Sequence, residues 1–222
     1  PNFHNPSGAT MSLERRQLLA KLADRYELVV IEDDPYGAIR FAGTPLPPVA
    51  AFSRRVVHLS TFSKIVAPGF RVGWMIGPPE VMAWVTRAKQ AADLHTATFP
   101  QFLLANIVSQ PGWLDEQKAR IVPMYRERCT ALADALESTL GDRISFHRPE
   151  GGMFLWTEFA DVPDTTKLLA KAVENGVAFV PGNAFTIDQR VDSKARFSYS
   201  TLDPTNLREA VSRLARALEQ LS

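Results

Sequence analysis

The sequence predicts an α/β fold in which a larger first part is followed by a smaller C-terminal α/β domain. Short runs rich in Val, Ile and Leu, typical of buried strands, alternate with helical segments over residues 1–110. A helical periodicity then covers residues 111–140, and strand and helix patterns alternate again over residues 141–222. Such alternation is typical of a mostly parallel sheet covered by helices. We therefore expect two domains joined by a connecting helical segment.

The first part begins with a predicted helix and a predicted strand. Ser12 is a typical N-cap residue, and it opens an amphipathic helix that carries Leu18, Leu19 and Leu22. Residues 27–31, Glu-Leu-Val-Val-Ile, are predicted to form a buried parallel strand that runs into an acidic turn.

Two further strands and two helices complete this part. The apolar run of residues 56–59, interrupted by His58, predicts a buried strand, and residues 73–77 predict another short one. A helix is expected to open at the Pro-Pro-Glu of residues 78–80 and to continue toward Lys89. Residues 101–108 are also predicted to be helical.

The second half is dominated by two predicted helices. The long connecting helix has Leu114, Ile121, Met124, Tyr125, Leu132, Leu136 and Leu140 at helical spacing, and Pro123 is expected to bend it. The last segment, residues 204–221, places Leu207, Val211, Leu214 and Leu218 on one face, which predicts a docked C-terminal helix.

Composition excludes several classes of protein. The 222 residues carry a net charge of +1, which provides no electrostatic basis for binding nucleic acid or an anionic membrane. A hydrophobic content of 45% is enough for a core, and no apolar run approaches a membrane span. The single cysteine, Cys129, excludes an internal disulfide framework and suits the reducing cytoplasm. The four histidines lack metal-ligand spacing, so no metal is expected.

The most informative motif is the Ser-Thr-Phe-Ser-Lys-Ile-Val-Ala-Pro-Gly-Phe-Arg of residues 60–71. It follows a predicted strand, and ligands in open α/β sheets usually bind at strand ends. Lys64 could condense with the aldehyde of pyridoxal 5'-phosphate, while Thr61 and Ser63 donate to the phosphate. Arg71 would hold the same phosphate with its planar fork of donors. The alternative is an ordinary solvated lysine in a chance motif.

A second motif, Glu-Asp-Asp-Pro-Tyr-Gly, follows the strand predicted over residues 27–31. Asp33 would pair with the pyridine nitrogen of the cofactor and keep it protonated. Tyr36 would donate to the phenolic oxygen. Spacing alone does not prove whether Asp33 or Asp34 points inward, although only Asp33 keeps a three-residue offset from Tyr36. The alternative is an acidic turn with a half-buried tyrosine.

A third motif lies at the start of the chain, where Asn5 is followed by Pro-Ser-Gly. This string forms a turn in any protein. The side-chain amide of Asn5 could also donate to the phenolic oxygen of the same cofactor. The motif gains weight because it precedes the aspartate and lysine motifs in order.

Together the three motifs resemble those of the fold-type I aminotransferases, class I/II, over essentially the whole chain. The Lys-Gln-Ala-Ala-Asp-Leu-His-Thr of residues 89–96 is similar to the branch that contains 2-aminoadipate, aromatic and kynurenine aminotransferases, and to the aminotransferase-like half of MocR-type regulators. The resemblance implies a large domain that binds pyridoxal 5'-phosphate, a smaller C-terminal domain and a homodimer. It also implies transfer of an amino group from an amino acid to a 2-oxo acid.

The resemblance assigns a further arginine to the substrate. Arg196 lies in a predicted strand and would hold the α-carboxylate bidentately, with Asn5 also at the substrate; the alternative is a salt-bridged strand arginine. Residues 149–154 and 181–185 resemble two loops of the family and are interpreted as mainly structural.

The resemblance also implies that the family's N-terminal part is missing from this chain. We therefore expect the chain alone to bind the cofactor weakly or not at all and to show negligible turnover. Two rival functions share the scaffold. One is β-elimination from a cysteine conjugate, and the other is a sensor half of a MocR-type regulator that has a DNA-binding segment upstream.

Overall fold

The computed structural model describes residues 1–188 and 190–221 and confirms the predicted α/β class. The chain divides into two compact units. Unit 1 comprises Pro1–Asn2 and Thr10–Val122, and unit 2 comprises Phe3–Ala9 and Pro123–Ser222. The division falls inside the connecting helix, and the short segment Phe3–Ala9 belongs with the C-terminal unit.

Unit 1 is built around a three-stranded sheet. Its elements are α1 (Leu13–Arg25), β1 (Val30–Asp33), β2 (Val56–Thr61), β3 (Gly73–Ile76), α2 (Pro79–Asp93) and α3 (Thr98–Val108). The strand order is β1-β2-β3. Strand β1 pairs with β2 in parallel, and β3 pairs with β2 antiparallel.

Helix α1 begins as predicted but buries a different face. The Ser12 side chain accepts a hydrogen bond from the backbone N–H of Arg15, which confirms the N-cap. The buried residues are Arg16, Ala20 and Ala23, whereas Leu18 is 56% exposed. On this face, the guanidinium of Arg16 donates to backbone carbonyls of Pro1, Met11, Leu46 and Pro47.

Two strands differ from their predictions. Strand β1 starts at Val30, three residues later than expected, because Glu27 adopts a left-handed conformation with φ 55°. The predicted burial of this strand is wrong for Ile31, which is 68% exposed. All four residues of β3 are exposed as well, although their apolar character predicts a buried strand.

The connecting helix α4 spans Trp113–Leu140, with Pro123 inside it, so the helix predicted over residues 111–140 is present but begins two residues later. It begins in unit 1 and ends in unit 2. The division into units falls at Pro123, where the proline ring removes one helical hydrogen bond.

Unit 2 contains a four-stranded antiparallel sheet packed with helices. Its elements are β4 (Ile144–Phe146), β5 (Phe154–Phe159), α5 (Thr165–Glu174), β6 (Val180–Pro181), β7 (Lys194–Ser198) and α6 (Pro204–Glu219). The strand order is β4-β5-β7-β6. The C-terminal helix buries the predicted residues Leu207, Val211, Leu214 and Leu218. Across the described chain, no helix has both the length and the apolar character that a membrane span needs.

The core of unit 2 yields a stability prediction for helix α5. Leu168 is fully buried, so Leu168→Ala should lower the free energy of unfolding by about 2–5 kcal/mol, because it removes apolar contacts and leaves a cavity. Val173 lies on the same helix and is exposed, so Val173→Ala should cost less than about 0.5 kcal/mol. Urea unfolding followed by circular dichroism measures both. Equal losses in the two variants would contradict the assigned core.

Candidate functional site

The predicted site residues of unit 1 lie on two loops at one edge of the sheet. Strands β1 and β2 are parallel, with Asp33 opposite Leu59, so the two strands end at the same edge of the sheet. Asp33 is the last residue of β1, and Thr61 is the last residue of β2. Ser60 Oγ donates to the backbone carbonyl of Asp34 at 2.8 Å, which ties the two strand ends together.

Lys64 lies on the loop after β2 and contacts the loop after β1. Its side chain is half-buried, and Nζ is 5.9 Å from the centroid of the Tyr36 ring. This distance is within the range of a cation–π contact. Tyr36 itself is buried. The structure therefore brings together one residue from each of the first two motifs, and Lys64 is not the freely solvated lysine of the alternative interpretation.

Thr61 and Ser63, the two hydroxyl residues before the lysine, lie in a tight turn. The backbone N–H of Ser63 donates to Thr61 Oγ1 at 3.1 Å. Thr61 Oγ1 also lies 3.0 Å from Ser63 Oγ and 3.2 Å from the carbonyl oxygen of Val72. Both hydroxyls are thus held on the same loop, and each can donate to an anion by rotating its proton.

Arg71 closes this loop in a strained conformation. It has φ 53° in the left-handed region and follows the short 3₁₀ turn Pro68–Phe70. A non-glycine residue rarely adopts this conformation, and such strain is found most often at functional sites. Its side chain is exposed and Nη1 donates to the carbonyl of Pro68 at a long 3.4 Å, so most donors of the guanidinium stay available for a ligand.

The three consecutive carboxylates of the acidic turn have different surroundings. Glu32 is buried and accepts from the backbone N–H groups of Val49 and Ala50. Asp34 accepts from the Asn2 amide and from the backbone of Gly37. Asp33 is exposed, and within the described residues its carboxylate has no hydrogen-bond partner.

This difference favours Asp33 over Asp34 as the carboxylate that can receive a ligand. A cleft of about 920 Å³ opens beside it, with Asp33, Ser60, Trp74, Lys89 and His95 in its lining. The donor set of unit 1 therefore combines an amine, hydroxyls and a guanidinium with one uncommitted carboxylate. That set fits a phosphorylated pyridine aldehyde, whose phosphate is an anion and whose ring nitrogen can be protonated.

Unit 2 holds the remaining two predicted residues, Asn5 and Arg196. Arg196 lies on β7 between β5 and β6, opposite Trp156 and Val180. Its Nη1 donates to Asn5 Oδ1 at 2.7 Å, so the amide nitrogen of Asn5 is the part left to donate elsewhere. Asn5 and Arg196 thus lie together within unit 2, and their roles toward cofactor and substrate stay predictions.

Two aromatic residues that the sequence interpretation treated as structural contact Arg196. Its guanidinium carbon is 4.2 Å from the Phe154 centroid and 5.1 Å from the Phe185 centroid. Trp156 packs edge-on against Phe185 at 5.4 Å. These rings hold the guanidinium plane by cation–π contact. The signal that could have indicated them is the phenylalanine that ends each of the two loop motifs, residues 149–154 and 181–185.

Other candidate groups do not support a second chemistry. Among the described residues, no cluster of three or more His, Cys, Asp or Glu side chains could hold a metal ion. Cys129 is buried in α4, and burial raises its pKa to about 11, while hydrogen bonding to Tyr199 opposes the shift. Because the thiolate is the reactive form, Cys129 is a packing residue and not a nucleophile.

This pKa leads to a prediction about thiol labelling. At pH 8 the Cys129 thiol should react with iodoacetamide at least about tenfold more slowly in the folded protein than in urea, since burial both limits access and disfavours the thiolate. Mass spectrometry of timed samples measures the rate. The Cys129→Ser variant reports the background. Equal rates in both conditions would show that the thiol is accessible and the burial is misassigned.

Comparison with known proteins adds independent information. The family described as aminotransferase class I and II matches residues 1–214. Aromatic-amino-acid aminotransferase 1 of Thermococcus litoralis is 40% identical over 222 residues, which are 99% of this chain and 53% of that protein. The structure of Pyrococcus horikoshii kynurenine aminotransferase matches with TM-score 0.93 and 39% identity, covering 100% of this chain and 55% of that one.

A third comparison agrees with these two. The structure of α-aminoadipate aminotransferase from Thermus thermophilus matches with TM-score 0.93 and 36% identity, covering 100% of this chain and 58% of that chain. The chain therefore spans about half the length of the relatives that it matches.

Proposed function

This chain belongs to the class I and II aminotransferase family, and we propose that the complete protein moves the amino group of an amino acid to a 2-oxo acid. Pyridoxal 5'-phosphate is the cofactor of this family. When bound, it supplies an aldehyde that condenses with amines and a ring that takes up the electron pair released at the substrate Cα. The remaining chemistry belongs to residues of the chain.

Lys64 carries the central role in this proposal. Its amine would hold the cofactor through the aldehyde carbon. As a free amine, Lys64 Nζ would act as the general base that takes the proton from the substrate Cα and as the general acid that returns it. This role is supported by the position of Lys64. Its side chain is half-buried near the ends of two parallel strands, and Nζ lies 5.9 Å from the centroid of the Tyr36 ring.

The neighbouring residues hold and polarise the cofactor. Thr61, Ser63 and Arg71 bind the phosphate through hydroxyl and guanidinium donors. Asp33 accepts a charge-assisted hydrogen bond from the ring nitrogen, which keeps that nitrogen protonated. Tyr36 donates to the phenolic oxygen. The uncommitted carboxylate of Asp33 and the unused donors of Arg71 support this assignment.

Asn5 and Arg196 complete the proposed set. The Asn5 amide donates to the phenolic oxygen and contributes to substrate binding, and Arg196 holds the α-carboxylate. The amino donors proposed are aromatic amino acids, kynurenine and 2-aminoadipate, because the similar proteins are named for these substrates. We also propose that the complete protein is a homodimer, as the family resemblance implies.

Substitution of Lys64 tests the reaction. In the complete protein, Lys64→Ala should lower amino transfer to 2-oxoglutarate at least about a hundredfold, because no other amine is proposed to move the Cα proton. Lys21 is exposed on α1, so Lys21→Ala is the matched control and should leave turnover unchanged. Product analysis of the unsubstituted protein is the decisive measurement. Release of pyruvate and ammonia from a cysteine conjugate, without amino transfer, would overturn the proposal in favour of β-elimination.

Substitution of Arg196 tests the carboxylate contact. Arg196→Lys should raise KM about tenfold or more for both the amino donor and the 2-oxo acid, since both carry a carboxylate beside the reacting carbon and lysine cannot bind it bidentately. Steady-state kinetics with each substrate measures the change. Arg208 is exposed on α6, and Arg208→Lys should leave both KM values unaltered. An unchanged KM in the Arg196 variant would refute the assigned role.

A further inference from the structure

Helix α1 buries an arginine, Arg16. The Arg16 side chain is 0% exposed. Its Nε donates to the carbonyl of Met11 at 3.0 Å, and its Nη1 donates to the carbonyl of Pro47 at 2.9 Å. Its Nη2 donates to Asn2 Oδ1 at 2.7 Å and to the carbonyl of Pro1 at 3.2 Å. A buried charge is tolerated only when its donors are satisfied in this way.

Asn2 connects this arginine to the acidic turn. Its Oδ1 accepts from Arg16 and, at 3.3 Å, from Arg40 Nη2, whereas its Nδ2 donates to Asp34 Oδ2 at 2.7 Å. A guanidinium only donates and a carboxylate only accepts, so the orientation of the Asn2 amide is fixed by its neighbours. The amide therefore acts as an obligatory link between a cation and an anion.

Asp34 in turn forms hydrogen bonds with the backbone of the loop and of β2. The N–H of Gly37 donates to its Oδ1 at 2.9 Å, and its own backbone N–H donates to the carbonyl of Leu59 at 2.9 Å. A Cβ atom at Gly37 would displace the Asp34 carboxylate from this position. Asp33 directly precedes Asp34, and Tyr36 follows it by two residues, so holding the backbone at Asp34 restrains where the Cα–Cβ bonds of Asp33 and Tyr36 point.

We propose that Arg16, Asn2 and Asp34 form a positioning relay for the cofactor-facing residues Asp33 and Tyr36. The inference deepens the proposed function and rests on it. The relay residues act through Asp33 and Tyr36 and do not themselves contact the cofactor. Electrostatics agree with the geometry: burial lowers the pKa of Arg16, and the nearby charges of Glu32 and Asp34 oppose that shift.

A reciprocal exchange of the two linked side chains tests the relay. Asn2→Asp alone places two carboxylates at a separation of 2.7 Å. Asp34→Asn alone leaves one amide oxygen to serve both donors, Gly37 and Asn2. In the Asn2→Asp/Asp34→Asn double variant, the carboxylate at position 2 accepts from both arginines, and the amide at position 34 donates to it while still accepting from Gly37. The exchange thus keeps every hydrogen bond, and only the bond between positions 2 and 34 has its donor and acceptor reversed.

The experiment uses the complete protein and three readouts. These are the Kd for pyridoxal 5'-phosphate by absorbance titration, the pH midpoint of the visible absorbance of the bound cofactor, and the thermal midpoint of unfolding. We expect each single variant to bind the cofactor about tenfold or more weakly and to shift the pH midpoint, because Asp33 and Tyr36 are displaced. The double variant should recover both values to within about threefold and a few tenths of a pH unit.

A matched control separates positioning from general stability. Asp24 is another carboxylate of unit 1, and it accepts from Ser53 Oγ at 2.6 Å. Asp24→Asn should lower the thermal midpoint while leaving the Kd and the pH midpoint unchanged. If the Asn2→Asp protein does not fold, Asn2→Ala replaces it, since that change removes both hydrogen bonds without adding a charge.

The outcomes are distinguishable from failure of the proposed function. Absence of stoichiometric cofactor binding by the unsubstituted protein would overturn the proposed function and the relay together. Normal binding by that protein, with single variants that resemble Asp24→Asn, would overturn the relay alone. Loss of binding without recovery in the double variant would also overturn it, because the effect would then not pass between positions 2 and 34.

Discussion

The parallel pairing of β1 with β2 is the constraint on which the candidate site of unit 1 depends. Since parallel strands end at the same edge, the acidic turn and the lysine loop leave the sheet side by side. Strand β3 then returns antiparallel, with Gly73 opposite Thr61, so residues 62–72 form a loop that is closed at its base. Lys64 and Arg71 lie on that closed loop, and this limits how far either can move from the end of β1.

Three adjacent carboxylates, those of Glu32, Asp33 and Asp34, lie at this edge of the sheet. Strand geometry sends successive side chains to opposite faces, so Glu32 enters the core while Asp33 faces away from it. In the core, Glu32 receives two backbone donors and lies 3.0 Å from His58 Nδ1. Asp34 accepts hydrogen bonds from the Asn2 amide and from the backbone N–H of Gly37. Repulsion within the turn is thereby offset by dedicated donors, and one carboxylate is left for external chemistry.

The sequence predicted the helices and the cap that depend on local spacing. It missed the contacts that depend on backbone carbonyl groups far away in the chain. Helices α4 and α6 follow their apolar spacing, and the cap of α1 follows from Ser12. The burial of Arg16 depends on carbonyls up to 31 residues away, which no local pattern encodes. Asn2 was missed for the same reason. Motif spacing identified Lys64, Asp33 and Tyr36 as candidates, and their roles remain predictions, whereas the contact between Lys64 and Tyr36 required the fold.

The surroundings of Arg196 bear on the carboxylate contact proposed for it. The sheet fixes its backbone on both sides, the rings of Phe154 and Phe185 restrict the guanidinium plane, and Asn5 occupies one of its nitrogens. An arginine side chain that is free in solution loses up to about 2 kcal/mol of rotamer entropy when it is immobilised. Here these contacts already restrict the Arg196 side chain, so little of that entropy would be lost when a carboxylate binds to its oriented donors. A lysine has no plane for the rings to hold, so the proposed carboxylate contact depends on the planarity of the Arg196 guanidinium as well as on its charge.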